Sequence, residues 1–220
     1  MPPTPPPLSE LASARRLPLP EAELWLVEGF LAPSESAELL ALLLERGAWR
    51  QDGMRMFGRW VDFPRLHAWY GAAGASYAFS GLRMEPLPFP PFLDELRLRL
   101  ERACGTAFNS ALLNLYRDGA DSMAWHADDE PELGREPAIA SLSLGAERTF
   151  ALRPKGGGKA ARFALRDGSL LLMAGPTQHH WQHQLPKTRR PVGPRVNLTF
   201  RRVFPQSRIL ETAGPPSGPS

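Results

Sequence analysis

From residue 110 onward the chain consists largely of short runs that alternate apolar and polar residues, and no other feature constrains its fold as much. "ALLNLYRDG", "AIASLSLGAERTFALRP", "ARFALRDGSLLLMAG" and "RVNLTFRRV" read as strands, and Gly-containing turns separate several of them. Ahead of them the period changes. "APSESAELLALLLERG", 32–47, reads as a helix: Pro33 suits the first turn, Glu35 and Glu38 suit the positive end of the dipole, and Gly47 suits the stop. Ala37, Leu40, Leu43 and Leu44 line its expected buried face. "FLDELRLRLERACG", 92–105, reads likewise, with Leu93, Leu96 and Leu100 on one side and Gly105 at the end, although its Leu-Arg alternation also admits a strand. Short strands behind an N-terminal helical layer predict an α+β domain built on an antiparallel β-sandwich or jelly roll.

The 220 residues suffice for one sizeable domain, and 43% apolar content supports a real core. Many of the 24 prolines sit at the ends. Residues 1–22 and 206–220 are therefore read as disordered tails, the first rich in extended polyproline, and 23–205 as the folded domain. The first segment lacks an apolar run long enough for a signal peptide, and no run reaches the length of a membrane span. Cys104 stands alone, which excludes a disulfide framework and a cysteine metal site. A reducing, cytoplasmic setting is expected. The net charge of +3 is too small to identify a partner, so the position of the basic residues matters more.

"WHADDEPELG", 125–134, places one histidine and four acids within eight positions. In a strand, His126 and Asp128 would aim an imidazole and a carboxylate at one point, with Ala127 facing away. A third ligand must come from elsewhere. The chain has five histidines, and three of them, His179, His180 and His183, fall in "TQHHWQHQLP". Two histidines and one carboxylate with open positions form the arrangement of non-haem Fe(II) oxygenases, where O2 and a co-substrate bind the same ion. A closed four-ligand site would be structural instead.

"RVNLTFRRV" sharpens this. Val196, Leu198 and Phe200 share one face; Arg195, Asn197, Thr199 and Arg201 share the other. If the polar face meets solvent, the arginines are simply exposed. If it faces the interior, two guanidinium groups need buried anions. A small dicarboxylate chelating the iron would satisfy both, and 2-oxoglutarate is such a molecule.

"NLYRDGADSMAWHADDE", "HWQHQLP" and "GPRVNLTFRRV" together resemble the AlkB family of Fe(II)/2-oxoglutarate-dependent nucleic-acid dealkylases. "FGRWVDFPRLHAWYGAAGASYAFSG" is similar to the members that repair duplex DNA, and the resemblance spans about residues 24–204. It implies a double-stranded β-helix (jelly roll) core at about 107–204, N-terminal helices, and a nucleotide-recognition lid at about 50–85. By position it implies Fe(II) ligands His126, Asp128 and His183, with no ligand role for His179 or His180. It implies 2-oxoglutarate contacts from Asn114, Tyr116, Arg195, Asn197 and Arg201, with Arg195 at the distal carboxylate and Arg201 at the one beside iron.

The same resemblance makes Asp129 and Glu130 base-reading acids suited to 1-methyladenine and 3-methylcytosine, which are cations near neutral pH. Glu130 can equally be an N-terminal charge on a following turn. Phe79, and with it Tyr77, falls where a ring would stack on an extruded base, although "SYAFSG" also reads as a plain core strand. Met56 and Phe57 of "MRMFGRW" match the hairpin that duplex-active members push into the base stack, and Arg65 joins the substrate contacts. "RPKGGGKAAR" and "PKTRRPVGPR" supply Arg153, Lys155, Lys159, Arg162, Lys187, Arg189 and Arg190 as phosphate contacts or as solvated loops. The expected activity is oxidative demethylation of alkylated DNA by a monomer in the cytoplasm, nucleoid-associated and of bacterial type, with no membrane partner. The alternatives are the same chemistry on RNA or protein, or a nucleic-acid-binding module without turnover.

Overall fold

A computed structural model describes residue 8 and residues 13–56, 58–73, 75, 77–79 and 82–204; for 56, 77–79 and 82–84 it describes the backbone alone. In chain order the elements open with β1 (Ala14–Arg16), β2 (Glu23–Val27) and α1 (Pro33–Arg46). The ribbon β3 (Gly53–Met56) and β4 (Arg59–Asp62) follows, then β5 (Leu66–Gly71), the ribbon β6 (Tyr77–Phe79) and β7 (Leu82–Met84), and α2 (Pro91–Cys104). The C-terminal half holds β8 (Ser110–Tyr116), β9 (Met123–His126), β10 (Ile139–Gly145), β11 (Arg148–Pro154), β12 (Ala161–Leu165) and β13 (Ser169–Ala174). A single helical turn, α3 (Thr177–His180), precedes β14 (Trp181–Leu185) and β15 (Arg195–Arg201).

A seven-stranded sheet runs in the order β1-β2-β13-β10-β15-β8-β5, and a four-stranded sheet in the order β12-β11-β14-β9. Every pairing is antiparallel. The two sheets form the double-stranded β-helix. Strand alternation divides the large sheet into two faces. Leu113, Leu142, Leu170, Leu172, Val196, Leu198 and Phe200 pack outward on Leu43 of α1 and on Leu93, Leu96 and Leu100 of α2. On the other face Leu24, Leu26, Ile139, Leu171 and Met173 meet Phe150, Leu152 and Trp181 of the small sheet. The inner face changes character across the sheet: apolar under β2 and β13, polar under β10, β15 and β8, where Ser141, Asn197, Thr199, Arg201 and Asn114 enclose a cavity. The polar face of β15 therefore points inward, which settles the alternative left open by its pattern.

α2 is a helix and not a strand. Leu93, Leu96 and Leu100 recur at helical spacing and bury one stripe, Arg97 pairs with Asp94 and Glu101, and Gly105 ends the helix at φ +67°. The buried stripe of α1 differs from expectation. Ser36 and Leu43 are buried and Leu39 and Leu40 pack on the core, whereas Ala37 and Leu44 are exposed. Ser36 belongs inside because its hydroxyl donates to Asp167 Oδ1 at 2.5 Å, tying α1 to the turn before β13. The β10–β11 turn needs Gly145: φ is +81°, and a Cβ there would lie 2.5 Å from Pro194 O.

The N-terminal boundary is corrected. Residues 14–22, assigned to a disordered tail, pack against the domain. β1 pairs with β2, Leu17 is buried between the sheets, and Leu8 is buried in the helical-side core. Proline richness concealed them because an edge strand tolerates flanking prolines. The tail assigned to 206–220 lies outside the described residues. Among the described residues no helix is long and apolar enough to cross a membrane.

Candidate active site

The centre forms where β9 and β14 pair. Their register sets His126 opposite His183, with ring centroids 4.2 Å apart. Asp128 follows two residues beyond the end of β9, in the extended segment rather than in the strand itself. One ligand atom from each of His126, Asp128 and His183 can be chosen so that all lie within 4.8 Å of one another.

Hydrogen bonds orient each group. His126 Nδ1–H donates to Ala124 O at 2.9 Å, which leaves Nε2 as the free donor atom toward the centre. Arg201 donates to Asp128 Oδ2 from Nε at 3.1 Å and from Nη2 at 2.7 Å. Asp128 Oδ1 is buried without a hydrogen-bond partner. The Asp128 backbone N–H donates to Gln178 Oε1 at 3.0 Å, so the turn α3 also holds the ligand segment. Burial opposes ionisation of Asp128, but Arg201 and then the two histidines hold its carboxyl down to about 2. Burial, followed by the neighbouring His126, lowers His183 to about 3, so the ring is a neutral ligand. A carboxylate oxygen with no other partner, beside two neutral imidazoles, fits a divalent iron.

The co-substrate cavity lies next to these ligands. Asn114, Tyr116, Arg195, Asn197 and Arg201 line it, together with Leu112, Met123, Phe150, Met173 and Leu185. β15 and β8 bring the polar set together, because Arg195 is opposite Tyr116 and Asn197 is opposite Asn114. Arg195 is 2% exposed, donates to Ser143 Oγ at 2.9 Å, lies over the Tyr116 ring at 5.4 Å and leaves Nε unpartnered. Burial lowers its pKa to about 10, and no carboxylate of the described residues pairs with it. A buried guanidinium without an acid calls for an anion, and a dicarboxylate with its far end at Arg195 supplies one. Arg201, expected at the carboxylate beside iron, lines the same cavity and also grips Asp128.

A wider cleft of about 630 Å³ opens on the outer side of His126. Met54, Val61, Phe63, Arg65, Trp125, Glu130, Pro186 and Lys187 line it. Glu130 Oε2 is buried and unpartnered, and burial, then the charge of Asp128, pushes its carboxyl up to about 7. Asp129 does not join it: its carboxylate faces outward and accepts from Lys155 Nζ at 2.6 Å. Arg65 is buried and reaches Asn114. The hairpin β3–β4 forms with Gly58 at φ +77° in its turn. Phe57 and the side chains of Met56, Tyr77 and Phe79 lie outside the described residues. His179 and His180 stand apart from the centre, His179 bonding Arg135 O and His180 lying 3.5 Å from Glu21. Of the basic runs, Arg153 lies over Trp125 at 4.4 Å, while Lys159, Arg162, Arg189 and Arg190 are exposed.

Four supporting residues went unread in the sequence. Ser141 and Ser143 steady Asn197 and Arg195; their spacing in "IASLSLG" was a signal, since it marks a polar inner face. Gln178 carried none. Nor did Arg148, which is buried and donates to the carbonyls of Asp118, Asp121 and Pro186, fastening the loops that flank the cleft.

Comparison with known proteins agrees with this centre. Residues 23–201 match the model of the 2OG-Fe(II) oxygenase superfamily. The chain is 44% identical over 194 residues to the human alpha-ketoglutarate-dependent dioxygenase alkB homolog 3, covering 83% of this chain and 67% of that protein. It is 43% identical over 163 residues to the mouse DNA oxidative demethylase ALKBH2, covering 70% and 68%. The solved structure of OsALKBH1 shares the fold, with a TM-score of 0.60 at 18% identity, covering 86% of this chain and 99% of that one. With the facial triad in place, these matches make the chain a member of the AlkB-type Fe(II)/2-oxoglutarate dioxygenases.

Proposed function

We propose that this protein repairs DNA by oxidative demethylation of N-alkylated bases, 1-methyladenine and 3-methylcytosine among them. One observation carries the reading: the triad of His126, Asp128 and His183 reaches, through His126, a cleft of nucleotide size that also holds the buried carboxyl of Glu130. The curated relatives, a DNA oxidative demethylase among them, support the substrate class.

Iron, when bound, supplies the coupling of 2-oxoglutarate decarboxylation to the transfer of one oxygen atom from O2 to the methyl group, with succinate and CO2 as co-products. The protein does the rest. Arg195 takes the distal carboxylate, Asn114, Tyr116 and Asn197 offer polar contacts, and Arg201 holds both Asp128 and the near end of the co-substrate. Leu112, Met123, Phe150 and Leu185 keep the cavity dry, which strengthens each polar contact. The target nucleotide leaves the duplex to enter the cleft. Glu130 then faces a cationic ring that ordinary bases do not present. Once the methyl group is hydroxylated, the hydroxyl proton departs and the N–C bond breaks. Its electron pair returns to the ring nitrogen, formaldehyde leaves and the base is neutral. Met56 and Phe57 at the hairpin tip fill the gap in the stack, and the exposed lysines and arginines hold the backbone.

The test is an assay with Fe(II), 2-oxoglutarate and a duplex carrying 1-methyladenine, run with and without O2 and scored by the mass of the base. Loss of one methyl mass only with O2, with succinate formed, is expected. An unchanged base in DNA alongside demethylation of a methylated RNA would move the substrate assignment to RNA.

A further inference from the structure

The base cleft and the co-substrate cavity adjoin across Met123, His126, Gln184 and Leu185, and a polar contact also links their linings. Arg65 lines the first and Asn114 lines the second. Arg65 Nε donates to Asn114 Oδ1 at 3.0 Å. Arg65 is 5% exposed, its guanidinium lies over the Phe63 ring at 5.0 Å, and no carboxylate of the described residues forms an ion pair with it. Its charge is met by no carboxylate there, and the cleft it lines is where an acceptor on a nucleotide would arrive. The contact also fixes Asn114. An amide has its oxygen and nitrogen on opposite sides. With Oδ1 turned to Arg65, Nδ2 is left to face the co-substrate cavity, where β15 places Asn197 directly opposite.

We propose that Arg65 is a positioning residue that couples the two spaces, so that an alkylated base in the cleft tightens the hold on 2-oxoglutarate. An acceptor on the incoming nucleotide pins the guanidinium. A pinned Arg65 holds the Asn114 amide in the orientation the co-substrate needs. The second ligand then loses less side-chain freedom on binding, which is positive coupling without any movement of the backbone. Co-substrate consumption without a base in place is correspondingly restrained. The inference rests on the cleft being the base site, as proposed above.

The experiment measures 2-oxoglutarate binding to the Fe(II)-loaded protein by calorimetry under strict exclusion of O2, with and without a saturating single-stranded oligonucleotide carrying 1-methyladenine. The affinity is expected to rise about fivefold or more, and affinity for the oligonucleotide should rise by the same factor when 2-oxoglutarate is present, as linkage requires. Arg65→Met should bring that factor close to one. In air it should also raise succinate formed per base repaired several-fold, while Arg65→Lys restores part of the coupling. The wild-type binding arm needs no variant to fold: a factor of one there overturns the coupling while base repair stands. A wild-type protein that binds the oligonucleotide but never repairs it overturns the function assigned to the cleft instead. A factor unchanged in a folded Arg65→Met protein removes Arg65 from the pathway.

Discussion

Asp128 has two carboxylate oxygens with different duties. Oδ2 takes both bonds from Arg201, and Oδ1 is left unpartnered at the triad. Asp128→Ala should therefore abolish formaldehyde release while affinity for methylated DNA, measured without 2-oxoglutarate, stays within about twofold, since no DNA contact is lost; residual turnover measured by formaldehyde would refute the ligand assignment. Arg201→Ala removes the partner that keeps Asp128 ionised and directed. Stripping one member from such a buried pair costs about 3–5 kcal/mol. The variant should lose Fe(II) and 2-oxoglutarate affinity together, by at least tenfold each in equilibrium binding, with DNA affinity measured in the absence of 2-oxoglutarate barely altered. A loss confined to 2-oxoglutarate would show that the grip on Asp128 is dispensable. At this scale much of the site was legible in the sequence, and for a physical reason. His126 and Asp128 stood out by their H-x-D spacing, and Arg195, Asn197 and Arg201 by sharing one face of an otherwise apolar strand, whereas Asn114 and Tyr116 came from the family resemblance alone. Asp129 and Glu130 were not separable, because which of two adjacent acids turns inward depends on where Lys155 reaches across from the β11–β12 connection.

Among the elements, β15 was the most readable, since one apolar face and one polar face in seven residues allow a single orientation against a core. The stripe of α1 was read rightly at Leu40 and Leu43 and wrongly at Ala37 and Leu44, because leucines crowd 39–44 and leave the face ambiguous, while Ser36 goes inside with its bond to Asp167. β1 was missed because its pairing with β2 depends on a partner far more apolar than itself. The hairpin β3–β4, expected from the family resemblance alone, leaves Trp60 at 60% exposure and Val61 at 44%. Apolar side chains kept that open are unusual for a monomer surface and suit contact with stacked bases. Replacing both Met56 and Phe57 by Ala should lower repair of a methylated duplex about tenfold, equivalent to ~1.4 kcal/mol in the barrier, and repair of the same sequence as a single strand less than twofold. Equal losses on both substrates would mean that the tip does not act as a wedge.

For the molecule as a whole, the buried site leaves a signature in stability against pH when the protein is free of metal. His183 is pulled from 6.5 to about 3. Between those values the unfolded chain binds a proton there that the folded chain refuses, so this stability is present above pH 6.5 and is lost as pH falls. His126, lowered mainly by burial, acts in the same direction. Glu130 acts in the opposite one. Its folded value is raised from 4.5 to about 7, so its contribution is present below pH 4.5 and is lost as pH rises through 7. From pH 5.5 to 7 each of the two residues with a stated value shifts stability by on the order of 1 kcal/mol, with opposite sign. The wild-type urea midpoint should therefore change little over that interval. Glu130→Gln removes the opposing group and should make the midpoint rise clearly with pH. His183→Gln removes a group from the other side of that balance and should turn the slope toward a midpoint that falls with pH. Two variants moving the slope of one unfolding curve in opposite directions would identify burial as the origin of both shifts; parallel slopes in the two would rule it out.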